Sequence, residues 1–147
     1  MKGYLNAPEK TAEVIVEIDG VRYYKTGDKG HIDHNGFITI VDRYSRFAKV
    51  GGEMISLGSV EEKLSQVFDE ETQFVAVALS DDKKGESIVL LIKSALSLDE
   101  INERIKGLNV PSIMLPSQIF LVDEIPMLGS GKVDFKGAKN LAMSLVK

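Results

Sequence analysis

The chain has 147 residues, 44% of them hydrophobic and 27% charged, a globular composition long enough for one ordinary domain or two small lobes. With 18 Lys and Arg against 22 Asp and Glu the net charge is -4, which excludes a protein-wide basic field for nucleic acid or anionic lipid and leaves only local patches. No apolar run approaches the roughly 20 residues of a spanning helix, residues Met1–Glu13 do not read as a signal peptide, and the lack of cysteine removes disulfides, thiolate metal sites and thiol nucleophiles, in keeping with a reducing compartment.

The signals divide the chain near residue 43. Residues 6–18 stay ambiguous: Asn6 with Glu9 fits a helix start, whereas Val14, Val16 and Ile18 alternate as a strand does. Asp19-Gly20 and Asn35-Gly36 are hairpin turn signals of type I′, in which both central residues need positive φ; they bracket strands at about 21–26 and 37–42. Ser59 with Glu62 forms a capping-box pattern, and Val60, Leu64, Val67 and Phe68 then share a face of a helix over 59–68. Phe74–Leu79 and Ile88–Ile92 are short apolar runs joined by polar residues and read as buried strands. Ser97 with Glu100 opens a second helix, ending near Gly107. Gln118–Val122 reads as a last strand, followed by a Gly-rich loop and a terminal helix from Phe135 capped by Asp134. From residue 47 the order is strand, helix, two strands, helix, strand, helix, an α+β sheet with helices on one face.

Few residues carry chemistry on their own spacing. Met127–Lys132 contains Gly-Ser-Gly-Lys, but Pro126 and Val133 stand where a Walker loop needs Gly and Ser or Thr. Lys132 is then either a solvated loop lysine or a movable charge that neutralises a phosphate or carboxylate. Asp28 ends Tyr24–Asp28 and Arg43 ends the following hairpin strand; a carboxylate accepts both ribose hydroxyls and an arginine donates to the same sugar, while spacing alone favours a plain surface ion pair. His31 and His34 sit in a turn without enough neighbours for a metal site. Gly51-Gly52 interrupts Lys49–Ser56, which marks a bulge or a place where a ligand approaches the backbone.

Taken in order, Met1–Tyr4 with Pro8–Ala12, Tyr24–Asp28, Asn35–Phe37 through Val41–Arg43, Lys49–Ser56 with Val60-Glu61, and Gly131-Lys132 resemble the C-terminal part of adenylate-forming enzymes: acyl-CoA synthetases, adenylation domains and firefly luciferase. The resemblance runs almost from end to end. Arg46–Leu57 and Pro126–Lys132 look most like the acyl-ACP synthetases of the bifunctional kind that also carry an acyltransferase.

The resemblance implies an α+β fold, a small β-hairpin segment followed by a compact three-helix, mixed-sheet C-terminal domain. Residues 1–43 would be the tail of a large N-terminal adenylation domain and 44–147 a mobile C-terminal domain. It further implies an ATP-dependent ligase in which a fatty acid becomes an acyl-adenylate and is passed to the phosphopantetheine thiol of acyl carrier protein, or to CoA. By the same resemblance Asp28 and Arg43 hold the nucleotide ribose, and Lys132 is the catalytic lysine of adenylation. Gly51, Gly52 and Glu53 line a pantetheine tunnel after rotation, Lys49 faces the active site in that second state, and Ser45 takes the hinge position, where the family has Asp or Lys. ATP and Mg2+ would be bound mainly by the N-terminal domain, so the chain alone is expected not to form acyl-adenylate. An acidic carrier protein should meet Arg43, Arg46, Lys49, Lys83 and Lys84. The expected setting is cytoplasmic, with a parent protein at the inner membrane through other segments and no contact of this chain with membrane or nucleic acid. The rival reading is a freestanding, non-catalytic module that binds a carrier protein.

Overall fold

The computed structural model describes residues Met1–Val146. They form two compact units, Met1–Ser45 and Arg46–Lys147.

In the first unit, helix α1 (Pro8–Val14) runs directly into strand β1 (Ile15–Ile18), so both halves of the ambiguous segment are realised in turn. Asn6 does not cap α1: the cap position is Ala7 without a side-chain bond, and Pro8 presets the first helical φ. Strand β1 pairs with β2 (Val21–Tyr24) through Asp19-Gly20, with φ of 51° and 77°, as the type I′ signal requires. A second hairpin joins β3 (Asp28–Ile32) to β4 (Ile38–Arg43). Its turn differs from expectation. Only Gly36 takes positive φ, and Asp33 organises five residues by accepting from the backbone N–H of Asn35 and Phe37. Strand β3 has no apolar alternation; its ladder with β4 makes it a strand.

In the second unit, β5 (Phe47–Val50) and β6 (Glu53–Ser56) form a hairpin where the sequence reading had one strand, because Gly51 and Gly52 both adopt positive φ, 59° and 95°. Helix α2 (Leu57–Leu64) begins at an earlier cap than expected. The hydroxyl of Ser56 accepts from the N–H of Ser59, which satisfies an orphan donor of the first turn, so Ser59 lies inside the helix and Val67 and Phe68 beyond its end. Strands β7 (Gln73–Asp81) and β8 (Gly85–Lys93) pair antiparallel along their whole length. Helix α3 (Leu98–Lys106) opens with the complete Ser97/Glu100 capping box. Strand β9 (Gln118–Leu121) adds parallel to β8, which makes the sheet mixed, and helix α4 (Phe135–Leu145) starts at the Asp134 cap.

The sheet order is β6-β5-β8-β7, with β9 also on β8. The helices do not lie on one face. Val60 and Leu64 of α2 and Ile101 and Ile105 of α3 pack on Ala76, Ala78, Leu90 and Ile92. Ala138 and Ala142 of α4 pack on Val75, Val77, Val89 and Leu91, which point the other way. Strands apolar at every position require cover on both faces, and α4 supplies the second layer. Among the described residues no helix is long and apolar enough to cross a membrane.

Candidate functional site

The first unit brings Asp28 and Arg43 together. They are direct partners in the β3–β4 register, and Arg43 Nε lies 3.3 Å from Asp28 Oδ1. Asp28 is 26% exposed and Arg43 70%, so screening leaves the pair worth about 0–1 kcal/mol and both groups able to meet a ligand. Tyr24 stands within electrostatic reach of both; its hydroxyl bond to Tyr4, 3.2 Å away, chiefly raises its pKa above the usual tyrosine value. Gly27 takes φ of 77° and its carbonyl accepts from the Tyr44 N–H, which holds the approach to Asp28 against the exit from Arg43. Ser45 is exposed in the 3-10 turn Tyr44–Arg46, at the last position of the unit.

In the second unit Lys132 is exposed on a loop closed at its base. Met127 and Val133 form a β-bridge, the Leu128 N–H donates to the Lys132 carbonyl at 2.7 Å, and the Asp134 N–H donates to the Pro126 carbonyl at 2.8 Å. Gly131, at φ 79°, makes the reversal. The carboxylate of Asp134 accepts from the N–H groups of Lys136 and Gly137, and a Cβ at Gly137 would come within 2.7 Å of that carboxylate. The lysine is thus a long charged arm on an anchored backbone. The loop base rims a shallow cleft of about 290 Å³ formed with Phe74 and Ile125.

Gly51 and Gly52 make the β5–β6 turn and Glu53 opens β6; all three are exposed, as is Lys49 on β5. A Cβ at either glycine would meet no atom within 4 Å, so local packing does not demand their bareness; positive φ does. This turn adjoins the β7–β8 turn, since the Gly51 N–H donates to the Lys84 carbonyl and the Lys49 N–H to Glu86 Oε2 at 2.6 Å. Asp81 accepts from the N–H groups of Lys84 and Lys83, which lower its pKa below the ordinary carboxylate value.

The five basic residues expected to form one patch do not share one environment. Arg43 pairs with Asp28, and Arg46 is turned inward, 11% exposed, with Nη2 2.7 Å from Glu61 Oε2. Its guanidinium carbon lies 4.0 Å from the centre of the Phe135 ring. Glu61 Oε1 in turn accepts from the Ala76 N–H in β7. The ion contact is short but off-line for a hydrogen bond, and Nε and Nη2 are both buried without an aligned acceptor. Sequence spacing concealed this link, because its partners lie far apart along the chain; the inward residue Arg46 looked like another surface charge.

His31 and His34 are exposed, and no group of three or more His, Asp or Glu among the described residues converges to hold a metal ion. The described residues therefore do not fit a resident Mg2+. An open cleft of about 670 Å³ is lined by residues between Lys2 and Ile15 and includes none of the residues singled out above.

No family model matches the chain. It is 35% identical over 137 residues to phenyloxazoline synthase MbtB of Mycobacterium sp. (strain MCS), covering 90% of this chain and 12% of that protein. Its fold superposes with a TM-score of 0.78 on ATP-bound MatB from Rhodopseudomonas palustris, at 20% identity over 99% of this chain and 29% of the other. It superposes with a TM-score of 0.73 on the Bacillus subtilis o-succinylbenzoate CoA synthetase MenE, solved with its acyl-adenylate intermediate, at 26% identity over 95% of this chain and 28% of the other. Fold and sequence together liken the chain to the C-terminal domains of adenylate-forming enzymes. It spans less than a third of the length of each of these proteins.

Proposed function

We propose that the chain is the C-terminal portion of an ATP-dependent, AMP-forming acid–thiol ligase, and that it serves both half-reactions from different surfaces. In the first, a carboxylate oxygen of the acid attacks the α-phosphorus of ATP, the bond to pyrophosphate breaks, and acyl-adenylate forms. Lys132 supplies the positive charge that the crowded, negatively charged phosphorus needs, and Asp28 with Arg43 fixes the ribose. In the second, a thiol attacks the acyl carbon and AMP leaves. The bare Gly51-Gly52 turn offers a slender pantetheine arm a path along the backbone, with Glu53 and Lys49 beside it. Ser45 is the pivot between the two settings, a small exposed residue in a short turn able to absorb a change in φ and ψ.

The observation that carries this reading is the Lys132 loop, an exposed lysine on a backbone pinned by a bridge and two short hydrogen bonds. A solvated loop lysine has no need of such anchoring. In the finer reading the acid is a fatty acid and the acceptor the phosphopantetheine of acyl carrier protein; Arg46–Leu57 and Pro126–Lys132 favour it by resemblance. CoA is the alternative acceptor, favoured by the likeness to an o-succinylbenzoate CoA synthetase, and another carboxylic acid is the alternative substrate. In the ligase containing this chain, Lys132→Ala should abolish acid-dependent pyrophosphate release and leave thioester formation from supplied acyl-adenylate intact. Gly52→Leu should do the reverse. If neither substitution alters either step, the non-catalytic module is the better reading.

A further inference from the structure

Arg46 is the first residue of the second unit, and its side chain turns away from solvent to touch two elements at once. Glu61, its ionic partner, is tied by its other oxygen to β7, so one end of the contact belongs to the α2–sheet layer. Phe135, its aromatic partner, is the first residue of α4 and lies three positions after Lys132. The residue is 41% exposed, so core packing does not explain an aromatic there, whereas the stacked guanidinium does. Between Phe135 and Lys132 stands Asp134, which caps α4 and closes the loop base through Pro126. A run of fixed contacts therefore leads from the unit boundary to the backbone that carries the lysine.

An arginine suits this place for a stated reason. Its planar cation can stack on a ring and pair with a carboxylate in the same pose, and a lysine cannot do both. Burying a cation whose Nε and Nη2 lack aligned acceptors is a poor way to gain stability, since an apolar residue would fill the space without that loss. The arrangement makes better sense as a device that fixes position.

We propose that Arg46 is a positioning residue for Lys132, locking the start of α4 and the lysine loop to the first residue after the hinge so that the loop moves with the boundary as one body. This rests on the reading of Lys132 as the adenylation lysine. In the ligase containing this chain, Arg46→Met, Arg46→Lys and Phe135→Leu should each slow adenylation about tenfold to a hundredfold at unchanged KM for ATP, the cost of a misplaced group. Thioester formation from supplied acyl-adenylate should stay unchanged, and Arg46→Met with Phe135→Leu should cost no more than either alone. In the 147-residue chain itself, the amide signals of Gly129 and Gly131 should shift in Arg46→Met and stay in place in Ser97→Ala. Unmoved glycine amides, or a lower melting temperature with adenylation unaltered or with both half-reactions reduced alike, would overturn the proposal. If Lys132→Ala leaves adenylation intact while the glycine amides do move, the functional reading has failed and the mechanical link stands.

Discussion

The two units of this chain are built on opposite terms. No residue of Met1–Ser45 is buried, and Val21, Tyr23, Ile32, Phe37, Ile38 and Ile40 all show more than half of their surface. Arg46–Lys147 instead buries apolar side chains on both faces of its sheet. The first unit is held by ladders and turns, and isolated two-stranded hairpins are marginal in water. The second has the area that drives folding. Order in the first unit is thus local geometry waiting for cover, and order in the second is self-supporting.

The largest contrast should come from deleting side chains. Ile101→Ala, at a fully buried position under α3, should cost about 3 kcal/mol in denaturant unfolding. Ile40→Ala, at an exposed position of β4, should stay within about 0.5 kcal/mol. Equal costs would erase the distinction between the units. A smaller effect is expected at the α3 capping box, where Ser97→Ala should cost about 1 kcal/mol, seen as a lower denaturant midpoint at unchanged slope.

The smallest effect is a pH dependence. Hydrogen bonds from the Ser97 side chain and backbone hold Glu100 below the ordinary carboxylate pKa, because they favour its charged form in the folded state. That contribution is fully present above the unfolded value, about pH 4, and is lost as pH falls through the lower folded value. Melting curves of the parent and Glu100→Gln should differ near pH 7 and draw together as pH falls below the ordinary carboxylate range. An offset that is the same in both conditions would show that the charge plays no part.

Much of the second unit is legible in the sequence, since its signals are local. The Ser97/Glu100 box, the apolar runs of β7 and β8, the Asp134 cap and the Asp19-Gly20 turn each state their structure within a few residues. The Ser59/Glu62 pattern misled because Ser56, three residues earlier, already caps the helix by accepting from the Ser59 N–H. The placement of α4 was also legible in principle, because a strand apolar at every position announces two covered faces. Strand β3 was not legible: Asp28–Ile32 is a strand by pairing with β4, a property of two segments rather than one. Of the candidate site, the opposition of Asp28 and Arg43 could be anticipated from hairpin logic. The Arg46–Glu61–Phe135 link could not, because nothing local marks a surface-type residue that turns inward.

The Gly51-Gly52 turn has a consequence in handedness. Its two positions have free space around them but left-handed backbone angles, so an L-residue is resisted by chirality before anything can be said of crowding. A D-alanine introduced at position 52 by chemical ligation would adopt the same angles without strain while adding one methyl group. It separates a turn that must bend that way from a surface that must stay bare, two demands that any L-substitution confounds.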